Sequence, residues 1–136
     1  MSRTYLLDIL TPERLFFSGQ VEALTVYAPD GSITALAGHA PLITPLEAGS
    51  LQIKTDGQWK EAFHAEGFMD VTRTGVAVFV QSCEWPENID SHRALEAKMR
   101  AEERLRQKQS IKEHQLSQLA LTRAMARLRV ARYKNR

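Results

Sequence analysis

The sequence has 136 residues, 43% of them hydrophobic and 25% charged, a composition typical of a soluble globular protein with one core. Its longest unbroken apolar run, Val76 to Val80, is far too short for a transmembrane helix, and we expect no secretory signal at the N-terminus. The net charge of +2 is unevenly distributed, because residues 1–89 hold 5 Lys/Arg against 11 Asp/Glu and residues 90–136 hold 13 against 5.

The first part of the chain shows the pattern of short β-strands separated by turns. Stretches rich in Val, Ile, Leu, Phe and Thr recur, and Asp30-Gly31 and Asp56-Gly57 are typical hairpin turns. We predict strands at Tyr5 to Leu10, Arg14 to Gly19, Val21 to Tyr27, Leu51 to Thr55, Trp59 to Ala65, Phe68 to Thr72 and Gly75 to Gln81. Short strands at close spacing, without βαβ units, favour an antiparallel sandwich or flattened barrel.

A segment between these strands, Gly38 to Gly49, is dense in glycine and proline. Two residues of each type within twelve predict an ordered loop with a fixed path. Its apolar side chains either pack beneath the sheet or contact another protein, and packing is the favoured interpretation.

The amino-acid composition changes at Asp90, because residues 90–136 contain neither Gly nor Pro and are rich in Ala, Glu, Leu, Arg and Lys. This composition predicts helix, with Asp90 or Ser91 as the N-cap. Two stripes at helical spacing, Ala94/Ala97/Ala101/Leu105 and Leu116/Ala120/Ala124/Leu128/Ala131, indicate two helices that pack through small residues, with the reversal near Gln107 to Ser110. One long helix remains an alternative. Alanine contacts remove little apolar area from water, so we expect a hairpin that opens at a cost of a few kcal/mol, ~25 cal/mol per Å² of apolar surface being the relevant scale.

The sequence contains none of the usual motifs of metal sites or enzyme active sites. The four histidines, at positions 39, 64, 92 and 114, share no metal-ligand spacing with each other or with Cys83. A phosphate-binding glycine loop, a nucleophile elbow and a Cys/His pairing are all absent from the sequence. We therefore predict neither a metal site nor a catalytic residue, and no enzyme activity of its own.

Several segments together resemble the epsilon subunits of bacterial F-type ATP synthases. They are Thr11-Pro12-Glu13 with Phe17-Ser18-Gly19, the run Gly38-His39-Ala40-Pro41-Leu42-Ile43-Thr44, Leu46 with Gly49, and Gly67-Phe68-Met69-Asp70-Val71. The sequence departs from the family pattern at Thr34, Ala35 and Ala37, and at Glu66, where a second glycine is common. The resemblance implies an α+β fold: an antiparallel β-sandwich of about ten strands at 1–86, which binds the rotor stalk, and a regulatory antiparallel two-helix hairpin at 87–136.

A second resemblance lies at the junction, where Ile89-Asp90-Ser91-His92-Arg93-Ala94 is similar to the Ile/Leu-Asp-x-x-Arg-Ala motif of epsilon subunits that bind ATP. By itself this pattern is also an ordinary helix start. Arg93 and Arg100 lie seven residues apart and Arg123 and Arg127 lie four apart, so a folded hairpin can bring the four arginines together. The resemblance implies that ATP binds at Glu84, Ile89, Asp90, Arg93, Ala94, Arg100, Arg123 and Arg127, with the first three near base and ribose and the arginines near the phosphates.

The resemblance also implies a non-catalytic subunit of the central stalk, bound to the gamma subunit and the c-ring at the cytoplasmic face of the bacterial plasma membrane. It requires no cofactor, and it takes ATP as a regulatory ligand. It couples proton flow to rotation, and its extended hairpin inhibits ATP hydrolysis through a contact of Arg123, Arg127, Arg129 and Arg132 with acidic segments of the beta subunit in the alpha/beta head. ATP would favour the folded hairpin.

Two alternatives come from other functional classes. The Arg-rich tail is also compatible with a nucleic-acid-binding module fused to a β domain, although Tyr133 is the only aromatic residue of the sequence after Trp85. A small ATP-hydrolysing enzyme would need a phosphate loop and a Mg²⁺ carboxylate cluster, which the sequence lacks.

Overall fold

The fold is a β-sandwich followed by a helical hairpin, seen in a computed structural model that describes residues 3–132. Tyr133 and the rest of the predicted hairpin segment beyond Arg132 lie outside this range. The strands are β1 (Tyr5–Leu10), β2 (Leu15–Val21), β3 (Ala23–Ala28), β4 (Gly31–Leu36), β5 (Leu42–Leu46), β6 (Gly49–Thr55), β7 (Gln58–His64), β8 (Gly67–Val71), β9 (Gly75–Val80) and β10 (Cys83–Glu84). A 3₁₀ turn at Pro86–Asn88 leads to α1 (Ser91–Arg106) and α2 (Ile111–Ala131).

The strands form two five-stranded sheets, in the orders β2-β1-β9-β8-β5 and β10-β7-β6-β3-β4. Alternation along each strand sends one set of side chains into the space between the sheets, where Leu7, Leu24, Leu51 and Val78 are fully buried. The expected antiparallel pairing holds except at one place, because β1 and β9 are parallel. Sequence spacing alone does not reveal this pair, since a long stretch of chain separates the two strands.

The glycine- and proline-rich segment Gly38 to Gly49 contains a strand, β5, where we expected an ordered loop. Pro45 is tolerated within it because β5 is an edge strand of its sheet. The favoured expectation of packing beneath the sheet is wrong for two of its apolar residues, since Leu42 and Ile43 are 36% and 71% exposed. The segment therefore presents apolar side chains to the surroundings.

The helices form the predicted hairpin. Asp90 caps α1, with its side chain accepting a hydrogen bond from the backbone N–H of Arg93, and the reversal falls between Arg106 and Ile111, as expected. Ser110 caps α2 through the N–H of Glu113, which gives the second helix a start of its own. Within the alanine stripes Ala94, Ala101 and Ala124 are buried, and Ala131 is buried against the sandwich. Leu116 at the start of the second stripe is instead 56% exposed, and its neighbour Ser117 is buried.

The hairpin lies against the second sheet, mainly through α2 on β6 and β7. A small apolar cluster joins them: Ala48, Phe63, Ala65 and Ile89 below, and Ala126, Val130 and Ala131 from α2. The three α2 side chains are small and together bury about five carbon atoms. At ~0.8 kcal/mol per CH₂-sized group, their burial stabilises the docked helix by roughly 4 kcal/mol. The docked hairpin is therefore held by a weak apolar contact, which makes the polar contacts around it significant.

Candidate functional site

A groove of about 610 Å³ runs between the two helices and the end of the sandwich. It is within the range of ~300–1,000 Å³ that small-molecule sites occupy. Alanines form its floor, and charged residues form its walls; the lining residues are Glu84, Asn88, Asp90, Arg93, Ala94, Glu96, Ala97, Arg100, Ala120, Arg123, Ala124 and Arg127. The small side chains let the helices approach each other while leaving space above them.

The structure brings seven of the eight predicted site residues into this groove, including all four arginines. Ile89 is the exception, because its side chain is 2% exposed and belongs to the apolar cluster under α2. Its position fixes the chain just before α1, and the next residue, Asp90, caps that helix. Asn88 and Glu96 line the groove as well, and the sequence reasoning missed both.

The backbone at the end of the sandwich sets two carboxylates next to α2. The residues between β7 and β8 pair with the residues between β9 and β10, through Ala65 N–H to Ser82 O at 2.9 Å and Gln81 N–H to Glu66 O at 3.0 Å. Glu66, Ser82 and Glu84 consequently lie along one edge, which faces Arg123 and Arg127 of α2.

Arg127 is fixed on three sides. Its Nε donates to Glu84 Oε1 at 2.6 Å, its Nη2 donates to Ser82 Oγ at 3.3 Å, and its guanidinium lies 4.5 Å from the centre of the Phe63 ring. A planar guanidinium suits this combination of forked donation and stacking. Arg127 therefore connects α2 to the sandwich and still borders the groove.

Arg123 pairs with Glu66. Its Nε donates to Glu66 Oε2 at 3.0 Å and its Nη2 donates to Oε1, which is a bidentate arrangement. The two side chains are 35% and 28% exposed, so water screens the pair only in part. Burial, with the charge of Arg127, lowers the pKa of Arg123 below its ordinary value.

The arginines of α1 are more open to solvent. Arg100 Nη1 lies 3.9 Å from Glu96 Oε2, and Glu96 also contacts His92. Arg93, which is exposed, makes no ion pair within residues 3–132. The groove thus offers four guanidinium groups against Glu84, Asp90 and Glu96, an excess of one positive charge among the lining residues.

The four arginines expected to contact a beta subunit do not share one face of α2. At ~100° per residue, Arg129 and Arg132 lie roughly opposite Arg123 and Arg127. Arg129 and Arg132 are exposed, whereas the other two are partly covered by the sandwich edge. In the docked hairpin, Arg123 and Arg127 therefore face the sandwich, and only Arg129 and Arg132 of these four arginines are exposed.

Within residues 3–132 no group of three or more His, Cys, Asp and Glu side chains is placed to hold a metal ion. Over the same residues no helix combines the length and the apolar character needed to cross a bilayer.

Comparison with known proteins covers both parts of the chain. Residues 4–86 match the family model of the ATP synthase delta/epsilon chain β-sandwich domain, and residues 87–132 match that of the delta/epsilon chain long α-helix domain. An ATP synthase epsilon chain of Caldanaerobacter subterraneus subsp. tengcongensis is 52% identical over 132 residues, covering 96% of each chain.

Solved structures share the fold. A chain of the Euglena gracilis mitochondrial ATP synthase, in a structure of OSCP, F1 and c-ring, matches with a TM-score of 0.79 at 20% identity, covering 90% of this chain and 78% of that one. A chain of the Tetrahymena thermophila mitochondrial ATP synthase central stalk and c-ring matches with a TM-score of 0.70 at 9% identity, covering 96% and 98%. At these identities the likeness shows the fold alone.

Proposed function

The chain belongs to the family of ATP synthase delta and epsilon chains, non-catalytic subunits of the central stalk, and on that premise we propose that its hairpin is an ATP-responsive regulator of hydrolysis. The family match includes the basic helices as well as the strands, so the Arg-rich tail does not require a nucleic-acid-binding function to explain it.

The observation that carries the ATP proposal is the convergence of Arg93, Arg100, Arg123 and Arg127 on one groove. A triphosphate is a dense anion, and guanidinium groups bind phosphate oxygens through paired donors. Glu84 and Asn88, which also line the groove, supply polar groups suited to the ribose and base. We propose this groove as the ATP site, with Asp90 positioning α1 as its N-cap.

ATP binding at this site would stabilise the docked hairpin. The site needs residues from both helices and from the sandwich end, so a hairpin that leaves the sandwich no longer forms it. A ligand that binds one of two states stabilises it by RT ln(1 + [L]/Kd), which is about 2.7 kcal/mol at a concentration of 100 Kd. This is comparable with the weak apolar contact beneath α2, so falling ATP shifts the equilibrium towards the released hairpin.

The released hairpin is proposed to inhibit hydrolysis by reaching the alpha/beta head. Undocking uncovers Arg123 and Arg127 and adds them to the already exposed Arg129 and Arg132. A helix with basic residues on more than one side would meet acidic segments of the beta subunit. The charge of residues 90–136, with 13 Lys/Arg against 5 Asp/Glu, fits an acidic partner.

The sandwich is proposed to bind the gamma subunit and the c-ring, which holds the chain peripherally at the cytoplasmic face of the bacterial plasma membrane. The first sheet exposes Phe68 and Phe79, whose rings stack at 4.9 Å, and Leu42 and Ile43 project from its edge strand. Exposed apolar groups of this size indicate a protein contact. Through that contact the subunit would turn with the rotor and help to couple proton flow to rotation.

Calorimetric titration of ATP into the isolated chain tests the ligand proposal. We expect saturable binding to the wild type and its loss in the Asp90→Ala/Arg93→Ala double variant, which removes the cap of α1 and one guanidinium. Absence of heat at millimolar ATP would overturn the ATP site and leave the stalk assignment intact.

A further inference from the structure

The pairing of Glu66 with Arg123 has a consequence for the groove. Glu66 occupies Nε and Nη2, one of the two parallel donor pairs through which a guanidinium holds an oxyanion bidentately. A phosphate that approaches Arg123 along this edge needs the same donors, and a phosphate at the other edge is repelled by the negative charge of Glu66. Carboxylate and phosphate therefore compete for one side chain.

Glu66 also completes the charge balance of the groove. It is not among the lining residues, but with it the four arginines face four carboxylates: Glu66, Glu84, Asp90 and Glu96. The like-charge repulsion expected among the arginines is thus already offset before any ligand binds. A bound nucleotide therefore has to replace some of the contacts that these arginines make with the carboxylates of the chain.

We propose that Glu66 is an intrachain competitor of the nucleotide phosphates at Arg123, and that it sets the ATP concentration at which the hairpin responds. This inference rests on the proposed ATP site. Glu66 is on the sandwich and Arg123 is on α2, so the same pair ties the hairpin down when no nucleotide is present. Glu66 thereby lowers the affinity for ATP, and it also helps to hold the hairpin on the sandwich when ATP is absent.

The isolated full-length chain provides the test, by calorimetric titration with ATP and with inorganic tripolyphosphate. For Glu66→Gln we expect about fivefold tighter binding of both probes, the size of a partly screened ion pair. Asp30→Asn is the matched control, because this exposed turn residue lies at the β4 side of the second sheet, whereas the groove is at the β10 side. We expect its affinity to equal that of the wild type.

A double-variant comparison tests whether Arg123 is the side chain for which Glu66 and the phosphate compete. In an Arg123→Gln background, Glu66→Gln should give no further gain, because the contested guanidinium is absent. Glu66→Gly serves as a second variant and should tighten binding in the same direction.

The outcomes separate the two proposals. ATP binding by the wild type with equal or weaker binding by both Glu66 variants would overturn the competitor and leave the ATP site standing. A gain that persists in the Arg123→Gln background would also overturn it. No binding by any of these chains would overturn the competitor together with the ATP site.

Discussion

Replacing Val130 by alanine should make α2 detach from the sandwich more often without unfolding the sandwich itself. Val130 is 0% exposed and lies in the apolar cluster with Phe63 and Ile89. Removing two methyl groups there costs about 2 kcal/mol, from the lost transfer free energy and the space left behind. At 1.4 kcal/mol per factor of ten, local opening of the hairpin becomes about 30-fold more frequent.

Hydrogen exchange measured by mass spectrometry on the isolated chain follows this opening. We expect faster exchange in α2, with unchanged exchange in the central strands β1, β6 and β9, and we expect saturating ATP to restore part of the protection in α2. Leu116→Ala on the same helix is the control, because Leu116 is 56% exposed and its truncation should change exchange by less than about twofold. Equal acceleration in the strands and the helix would refute the reasoning, since hairpin and sandwich would then open as one unit.

Three other predictions concern stability. His64 is fully buried, accepts the Tyr27 N–H on Nε2 and donates through Nδ1 to Ala65 O. Burial lowers the pKa of His64 below its ordinary value of about 6.5, so the unfolded chain takes up the proton more readily. The free energy of unfolding should therefore be complete above about pH 7 and fall by up to ~1.4 kcal/mol per pH unit below pH 6.5. Urea unfolding at pH 7 and pH 5 measures this slope, and a His64→Gln chain with the same slope would exclude the histidine as its source. Gly67→Ala should cost about 3 kcal/mol in urea unfolding, because the new Cβ would lie 1.9 Å from the carbonyl oxygen of Phe79. The comparison is Gly57→Ala, which faces open space and should cost about 1 kcal/mol for its positive φ, and equal losses would contradict the steric argument. Ser110→Ala should cost about 1 kcal/mol and speed exchange in the first turn of α2, whereas unchanged exchange there would show that the cap is dispensable.

Local chemistry made most of the fold predictable. The strand pattern, the turns at Asp30-Gly31 and Asp56-Gly57, and the cap at Asp90 are determined by neighbouring residues, and the structure confirms them. The reversal of the helices was also predictable, and Ser110 with Glu113 three residues later is a capping signal that would have excluded one long helix.

The features that the sequence did not reveal depend on distant pairings. The parallel pairing of β1 with β9 depends on the closure of a whole sheet, and the exposure of Ile43 depends on which strand forms its edge. The arginine groove was predictable because helix periodicity places the four residues. Of the carboxylates that neutralise it, Glu84 and Asp90 were among the predicted site residues, but Glu66 was not, because it reaches α2 only through the pairing of two inter-strand connections. In the sequence Glu66 was merely a departure from a family pattern.

The proposed regulation requires that the docked hairpin permits ATP hydrolysis and that the released hairpin blocks it. The most direct measurement is ATP hydrolysis by the assembled ATP synthase at low ATP, comparing the full chain with a chain that ends at Ile89 and so lacks both helices. We expect faster hydrolysis with the shortened chain, and a difference that shrinks as ATP rises and the full chain docks its hairpin. Equal rates at every ATP concentration, with the same amount of each chain bound in the complex, would contradict it.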